Sequence, residues 1–181
     1  CGELTTIIAV FGPTAARRAS MSRTNRRPSR TRGTDTRVAP VEIGKDTSCS
    51  LDGMLLGDYP GPKAQIHYDG TPEPEFFCDT MEMFSLYLKP EQARKVKAIY
   101  VQDLDKTTWE APKGAWIDGK AAFYVVGSKK RGAMGPTIPS FGTREGAQKF
   151  TEGNGGKVYP FAEITSEMAR LDGGALHDQR M

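Results

Sequence analysis

The sequence predicts an α+β fold of two ββαβ units in tandem, preceded by a disordered Arg-rich N-terminal arm. Three observations predict it. Residues 1–40 hold eight arginines against Glu3 and Asp35, a net charge of +6, which leaves −3 on the remaining 141 residues. From residue 64 onward, alternating and helical hydrophobic periods follow one another in the order strand, strand, helix, strand. The same order then returns, with Thr143 beginning the second helix as Thr80 lies at the start of the first.

The arm comes first. The disordered tether is expected over 1–45: residues 1–40 are rich in Ser, Thr, Pro and Arg, have almost no apolar residue after Phe11, and show neither a 3.6 nor a 2.0 period. The chain opens on Cys1, the residue to which a bacterial lipoprotein signal is processed, so a lipid anchor at Cys1 is the expectation; a boundary that happens to fall there is the alternative. No run approaches the roughly 20 apolar residues of a membrane span. An Arg-rich arm can neutralise phosphates, but residues 12–40 contain no aromatic residue and no nucleic-acid module stands behind them. A solvated tether is therefore expected, held near anionic headgroups at about 1 kcal/mol per basic residue, with no nucleic-acid partner.

In the first unit, 46–106, residues 64–68 alternate as a strand with Ala64, Ile66 and Tyr68 on one face and Gln65 and His67 on the other. That second face is polar, which predicts an accessible His67. Asp69-Gly70 marks a turn, and 75–78 a second strand. Asp79 with Glu82 three positions later forms a capping-box pattern. Met83, Phe84, Tyr87 and Leu88 follow at helical spacing, and Pro90 ends the helix near Lys89. Residues 96–101 close the unit. In the second unit, 107–168, the strand is 121–127, a Gly- and Pro-containing connection runs from Met134 to Phe141, and the helix extends through Ala147 and Phe150 to the glycines at 153–156. The last strand is 157–164 and the tail 169–181 is polar and frayed. The joint between the units is expected at 106–119.

Hydrolytic and nucleotide-dependent chemistries lack their signatures: there is no nucleophile elbow, no phosphate loop with Lys and no His-Glu-x-x-His. With only His67 and His177, a multi-histidine site is excluded. Sulfur remains, as Cys49, Cys78 and seven methionines. Thiolate and thioether donors favour a soft cation, above all copper(I).

The stretch from Cys49 through Asp52-Gly53-Met54 to Pro60-Gly61-Pro62-Lys63-Ala64-Gln65 resembles the NosL family of copper-binding lipoproteins, accessory to nitrous oxide reductase. Residues 121–128, Met134-Gly135 and 139–141 are similar to that family's later elements, and the resemblance covers about 46–165. It implies an organomercurial lyase-like pair of ββαβ units and a copper(I) chaperone, not an enzyme. The implied location is the periplasm, on a bacterial membrane, and the implied partner is nitrous oxide reductase. The family's Cys-x-Met methionine falls on Met54 and its Met-Gly methionine on Met134. Its cysteine falls on Asp52, and the nearest thiol is Cys49, five residues before Met54.

The expected metal ligands are therefore Cys49, Met54 and Met134, with His67 as a third kind of donor or else a hydrogen-bonded surface side chain. Cys49 and Cys78 can alternatively close a structural disulfide, as exported proteins allow, and Cys78 can equally be a small buried hydrophobe. Met81 and Met83 are assigned to the core. A monomer is expected. Two other functions stay open: an enzyme cleaving a carbon–metal bond with Cys49, Cys78 and Asp52, and a nucleic-acid binder using the arm.

Overall fold

The computed structural model describes residues 38–170. Cys1, the Arg-rich stretch and His177 lie outside the described residues. The elements are β1 (Ala64–Tyr68), β2 (Glu75–Phe77), α1 (Thr80–Tyr87), β3 (Val96–Gln102), β4 (Trp116–Asp118) and β5 (Phe123–Val126). They continue with β6 (Arg131–Gly132), β7 (Gly135–Pro136), β8 (Ser140–Phe141), α2 (Arg144–Asn154) and β9 (Lys157–Pro160). Single 3-10 turns occupy Leu56–Asp58 and Phe161–Glu163. The strands form a sheet of order β2-β1-β3-β4, a sheet of order β8-β5-β9 and the hairpin β6-β7, with every pairing antiparallel. This is a small mixed fold of antiparallel sheets and few helices. No helix among the described residues is long and apolar enough to cross a membrane.

Local chemistry explains most boundaries. Asp79 caps α1 by accepting from the Met81 N–H at 2.8 Å, and Thr143 caps α2 by accepting from the Gly146 N–H at 3.1 Å. Gly155, at φ 70°, ends α2 where a side chain would be strained. The last strand stops at Pro160, short of the expected 164, because the chain turns into the 3-10 segment there. Residues 116–118, expected within the joint, instead add a fourth strand: Val101 pairs with Ile117 and Tyr100 with Asp118.

Ala64, Ile66 and Tyr68 pack with Phe77, Met83, Phe84, Ile99, Val101, Tyr124 and Ile138 in the main core. Phe84 meets Tyr124 edge to face at 4.8 Å, joining α1 to the second sheet. Met81 and Met83 are buried there, as core residues.

The other face of β1 departs from expectation, since Gln65 and His67 are buried too. A two-residue period identifies the faces of a strand but not what covers each one. Here residues 38–41, from the expected tether, lie across it. Gln65 accepts from the Val41 N–H and donates to its carbonyl, both at 2.9 Å, and the Tyr100 hydroxyl donates to the Val38 carbonyl.

Candidate metal centre

The segment before β1 is a tight loop fixed by its own polar groups. The Cys49 N–H donates to the Met54 carbonyl at 2.8 Å and the Gly53 N–H to the Cys49 carbonyl at 2.9 Å. Gly53 sits at φ 77°, in the left-handed region. Asp52 Oδ1 accepts from the Met54 N–H at 2.9 Å, a turn that a short carboxylate forms readily. The Ser50 N–H donates to the Phe76 carbonyl at 2.7 Å, which ties this loop to β2 just before Cys78. Cys49, Leu56 and Cys78 form a small buried cluster with Met54, Ile43, Phe76 and Ala133 packed against it.

Glu82 turns this cluster into a donor set. In a capping box its carboxylate would return to the Asp79 N–H. Instead, Glu82 Oε2 lies 3.2 Å from Cys49 Sγ and 3.0 Å from Cys78 Sγ, within hydrogen-bond reach of both. Asp52 Oδ2 is a longer 3.8 Å from Cys78 Sγ. One donor atom from each of Cys49, Asp52, Cys78 and Glu82 lies within 4.8 Å of every other. Both cysteines are free thiols, so the structural disulfide is not the state found. Cys78 is buried, as a small hydrophobe would be, but its sulfur is engaged with a carboxylate.

The protonation pattern follows from this packing. The hydrogen bond from Cys78 lowers the Cys49 thiol to about 6, against the opposing effect of burial. The same bond, with burial and the adjacent Glu82, raises the Cys78 thiol. Burial raises Glu82 to about 8. Near neutral pH the cluster therefore retains protons that an arriving cation can displace, since metal ligands must be deprotonated.

Two supports hold the cluster in place. Lys63 is buried, and its ammonium donates to the carbonyls of Tyr59, Pro60 and Cys78 at 2.8, 3.1 and 3.0 Å. Burial lowers its pKa, while the facing Asp79, Cys78 and Glu82 oppose that shift. The second support is the β6-β7 hairpin. Thr137 Oγ1 donates to Asp79 Oδ1 at 2.7 Å, and a Cβ on Gly132 would fall 2.0 Å from Asp79 Oδ2, an approach open only to glycine. The hairpin thereby packs Ala133 on the cysteine cluster and presents Met134, 49% exposed, at its turn. Asp79 itself is fully buried, which raises it to about 7 despite the Thr137 and Met81 donors.

Among the four expected ligands, Cys49 lies in the donor set, Met54 packs on it and Met134 stands one residue from Ala133. His67 is not part of the set. It is buried on β1, with Nε2 2.9 Å from Gln65 Oε1 and its ring edge-on to Tyr100, and burial lowers its pKa. Cys78 and Glu82 were not among the expected ligands. Their i, i+4 spacing across a helix start was the available signal.

The family model NosL matches residues 40–169. The copper-binding lipoprotein NosL of Stutzerimonas stutzeri is 36% identical over 147 residues, covering 78% of this chain and 76% of that protein. The protein of the same description from Achromobacter cycloclastes is 38% identical over 135 residues, 72% of this chain and 70% of that one. The crystal structure of the copper chaperone NosL from Shewanella denitrificans superposes with a TM-score of 0.67 at 39% identity, over 71% of this chain and 96% of that one. With a match that runs from the segment packed on β1 to the end of the described fold, the chain belongs to the NosL family.

Proposed function

We propose that this protein is a copper(I) carrier that supplies copper for metal-centre assembly in nitrous oxide reductase, acting by ligand exchange and not by catalysis. The observation that carries the reading is the pair of thiols, Cys49 and Cys78, brought against one buried carboxylate, Glu82. Two sulfurs at this spacing suit a soft monovalent cation of low coordination number. Met54 would add a thioether from the packed side of the cluster. Met134, half exposed at the hairpin turn, would be the sulfur that an acceptor reaches first.

The related proteins named copper-binding lipoproteins and the solved copper chaperone support the cargo and the carrier role. The lipoprotein descriptions further support a lipid anchor, which in this reading sits on Cys1 and holds the protein on the periplasmic side of a membrane. Each sheet places its first strand between the second and third, as β2-β1-β3 and β8-β5-β9. That shared order supports a duplicated ββαβ unit of the organomercurial lyase-like kind.

The test is a competition titration of the reduced chain with copper(I) against a chromogenic chelator. Cys49→Ala and Cys78→Ala should each weaken one-to-one binding by more than 100-fold, whereas outer-shell losses cost about 10–100-fold. Met54→Ala and Met134→Ala should weaken it less, and His67→Ala should leave it unchanged. Failure of the reduced chain to compete for copper(I) would overturn the proposal.

A further inference from the structure

Resting on the carrier reading, we propose that Cys49 and Cys78 are also an oxidative modification site, a thiol pair that hydrogen peroxide closes into a disulfide and thereby withdraws from the metal. The pair is built for closure. Both sulfurs lie on the same oxygen of Glu82, at 3.2 and 3.0 Å. The Ser50 to Phe76 backbone bond holds the two strands of chain beside each other. The two sulfurs belong to a set of donor atoms that all lie within 4.8 Å of one another, so closing to an S–S bond of about 2.05 Å requires only a short approach.

Access selects the oxidant. Cys49 is 3% exposed and Cys78 fully buried, so a bulky disulfide cannot approach in line, whereas hydrogen peroxide is close to water in size. The Cys49 sulfur attacks one peroxide oxygen and the O–O bond breaks. Cys49 becomes a sulfenic acid, and the departing hydroxide takes a proton to leave as water. The Cys78 sulfur then attacks the Cys49 sulfur, an S–S bond forms and a second water leaves. In sum, two thiols and one peroxide give one disulfide and two waters, the thiols being oxidised by two electrons and the peroxide reduced.

The product is a reversible switch because of Glu82. Closing the disulfide removes both hydrogen-bond partners of a carboxyl group that is 1% exposed, and a buried polar group without a partner is costly. That cost favours the reduced form, so an excess of a small dithiol reopens the bond.

The experiment uses the full chain carrying Cys1→Ser, so that only Cys49 and Cys78 remain as thiols. Stoichiometric hydrogen peroxide is added without oxygen and quenched with catalase. Free thiols are alkylated, and the intact mass and linked peptides are determined. Copper(I) competition is measured before oxidation, after it and after dithiothreitol. The expected results are loss of two hydrogens, a 49–78 linkage, and copper(I) affinity reduced more than 100-fold and restored by reduction. Cys78→Ala should stop at a sulfenic acid trapped by dimedone. Oxidation without that linkage, or a linked chain that still binds copper(I), overturns the inference. If the reduced chain itself fails to bind copper(I), the carrier reading and the switch fall together. The linkage map then identifies the lost binding, and not an absent thiol pair, as the cause.

Discussion

Replacing Asp79 by asparagine should remove a pH-dependent loss of stability that the native carboxyl imposes. Asp79 is fully buried, its Oδ2 has no hydrogen-bond partner, and its pKa rises from 3.8 to about 7. Between these values the folded chain keeps a proton that the unfolded chain releases. The contribution to stability is therefore greatest below 3.8, falls as pH rises through the interval, and levels off above about 7. Between about pH 5 and pH 8 the loss amounts to about 2–3 kcal/mol. Asparagine keeps the oxygen that accepts from Met81 and Thr137 but does not ionise. Its amide faces Gly132 without an acceptor, a penalty of about 1–3 kcal/mol that does not vary with pH. Urea unfolding of the reduced, copper-free chain, followed by the fluorescence of Trp109 and Trp116, should show the variant gaining about 2–3 kcal/mol on the native chain between the two pH values. Titration of His67 and Cys49 is common to both proteins and cancels. An unchanged stability difference would mean that Lys63 holds Asp79 ionised throughout, and would refute the argument.

Gly132→Ala should destabilise the fold by about 1–3 kcal/mol through overpacking, read as a lower urea midpoint, because its methyl would enter the space of Asp79 Oδ2. Lys63→Met removes the donor shared by the carbonyls of Tyr59, Pro60 and Cys78, and should cost about 3 kcal/mol or more in the same assay. Gln65→Ala breaks both hydrogen bonds to Val41, and exchange of the Val41 amide should accelerate while the protection of β3 is retained. Thr143→Ala removes the α2 cap and should lower stability by about 1 kcal/mol, with no effect on copper(I) binding.

What the sequence made legible was periodic or local. The β1 alternation, both helix starts and the stop before Pro90 are written in neighbouring residues, and the structure has them. The three-residue strand β4 left no period long enough to read. His67 was misplaced because its cover, residues 38–41, comes from a segment without apolar periodicity and is held by Gln65 and Tyr100 through polar bonds. At the candidate centre, Cys49 and Met54 were visible as soft donors. Glu82 was concealed by a second valid role, since Asp79 and Glu82 also spell a capping box. Only the tertiary approach of Cys49 to α1 decides which role the carboxylate fills.

The passage from β2 into α1 makes the donor set a matter of phase. Cys78 ends the extended chain, Asp79 opens the helix and Glu82 lies on its first turn. Each helical residue advances about 100° around the axis. One residue inserted or deleted between Asp79 and Glu82 would therefore swing the carboxylate to another side of α1 while leaving composition, cap and cysteines in place. Such a chain would still look like a relative by its motifs, yet its two thiols would face no shared oxygen. Among relatives, the spacing from Cys78 to Glu82 should tolerate less variation in length than the loop that carries Cys49.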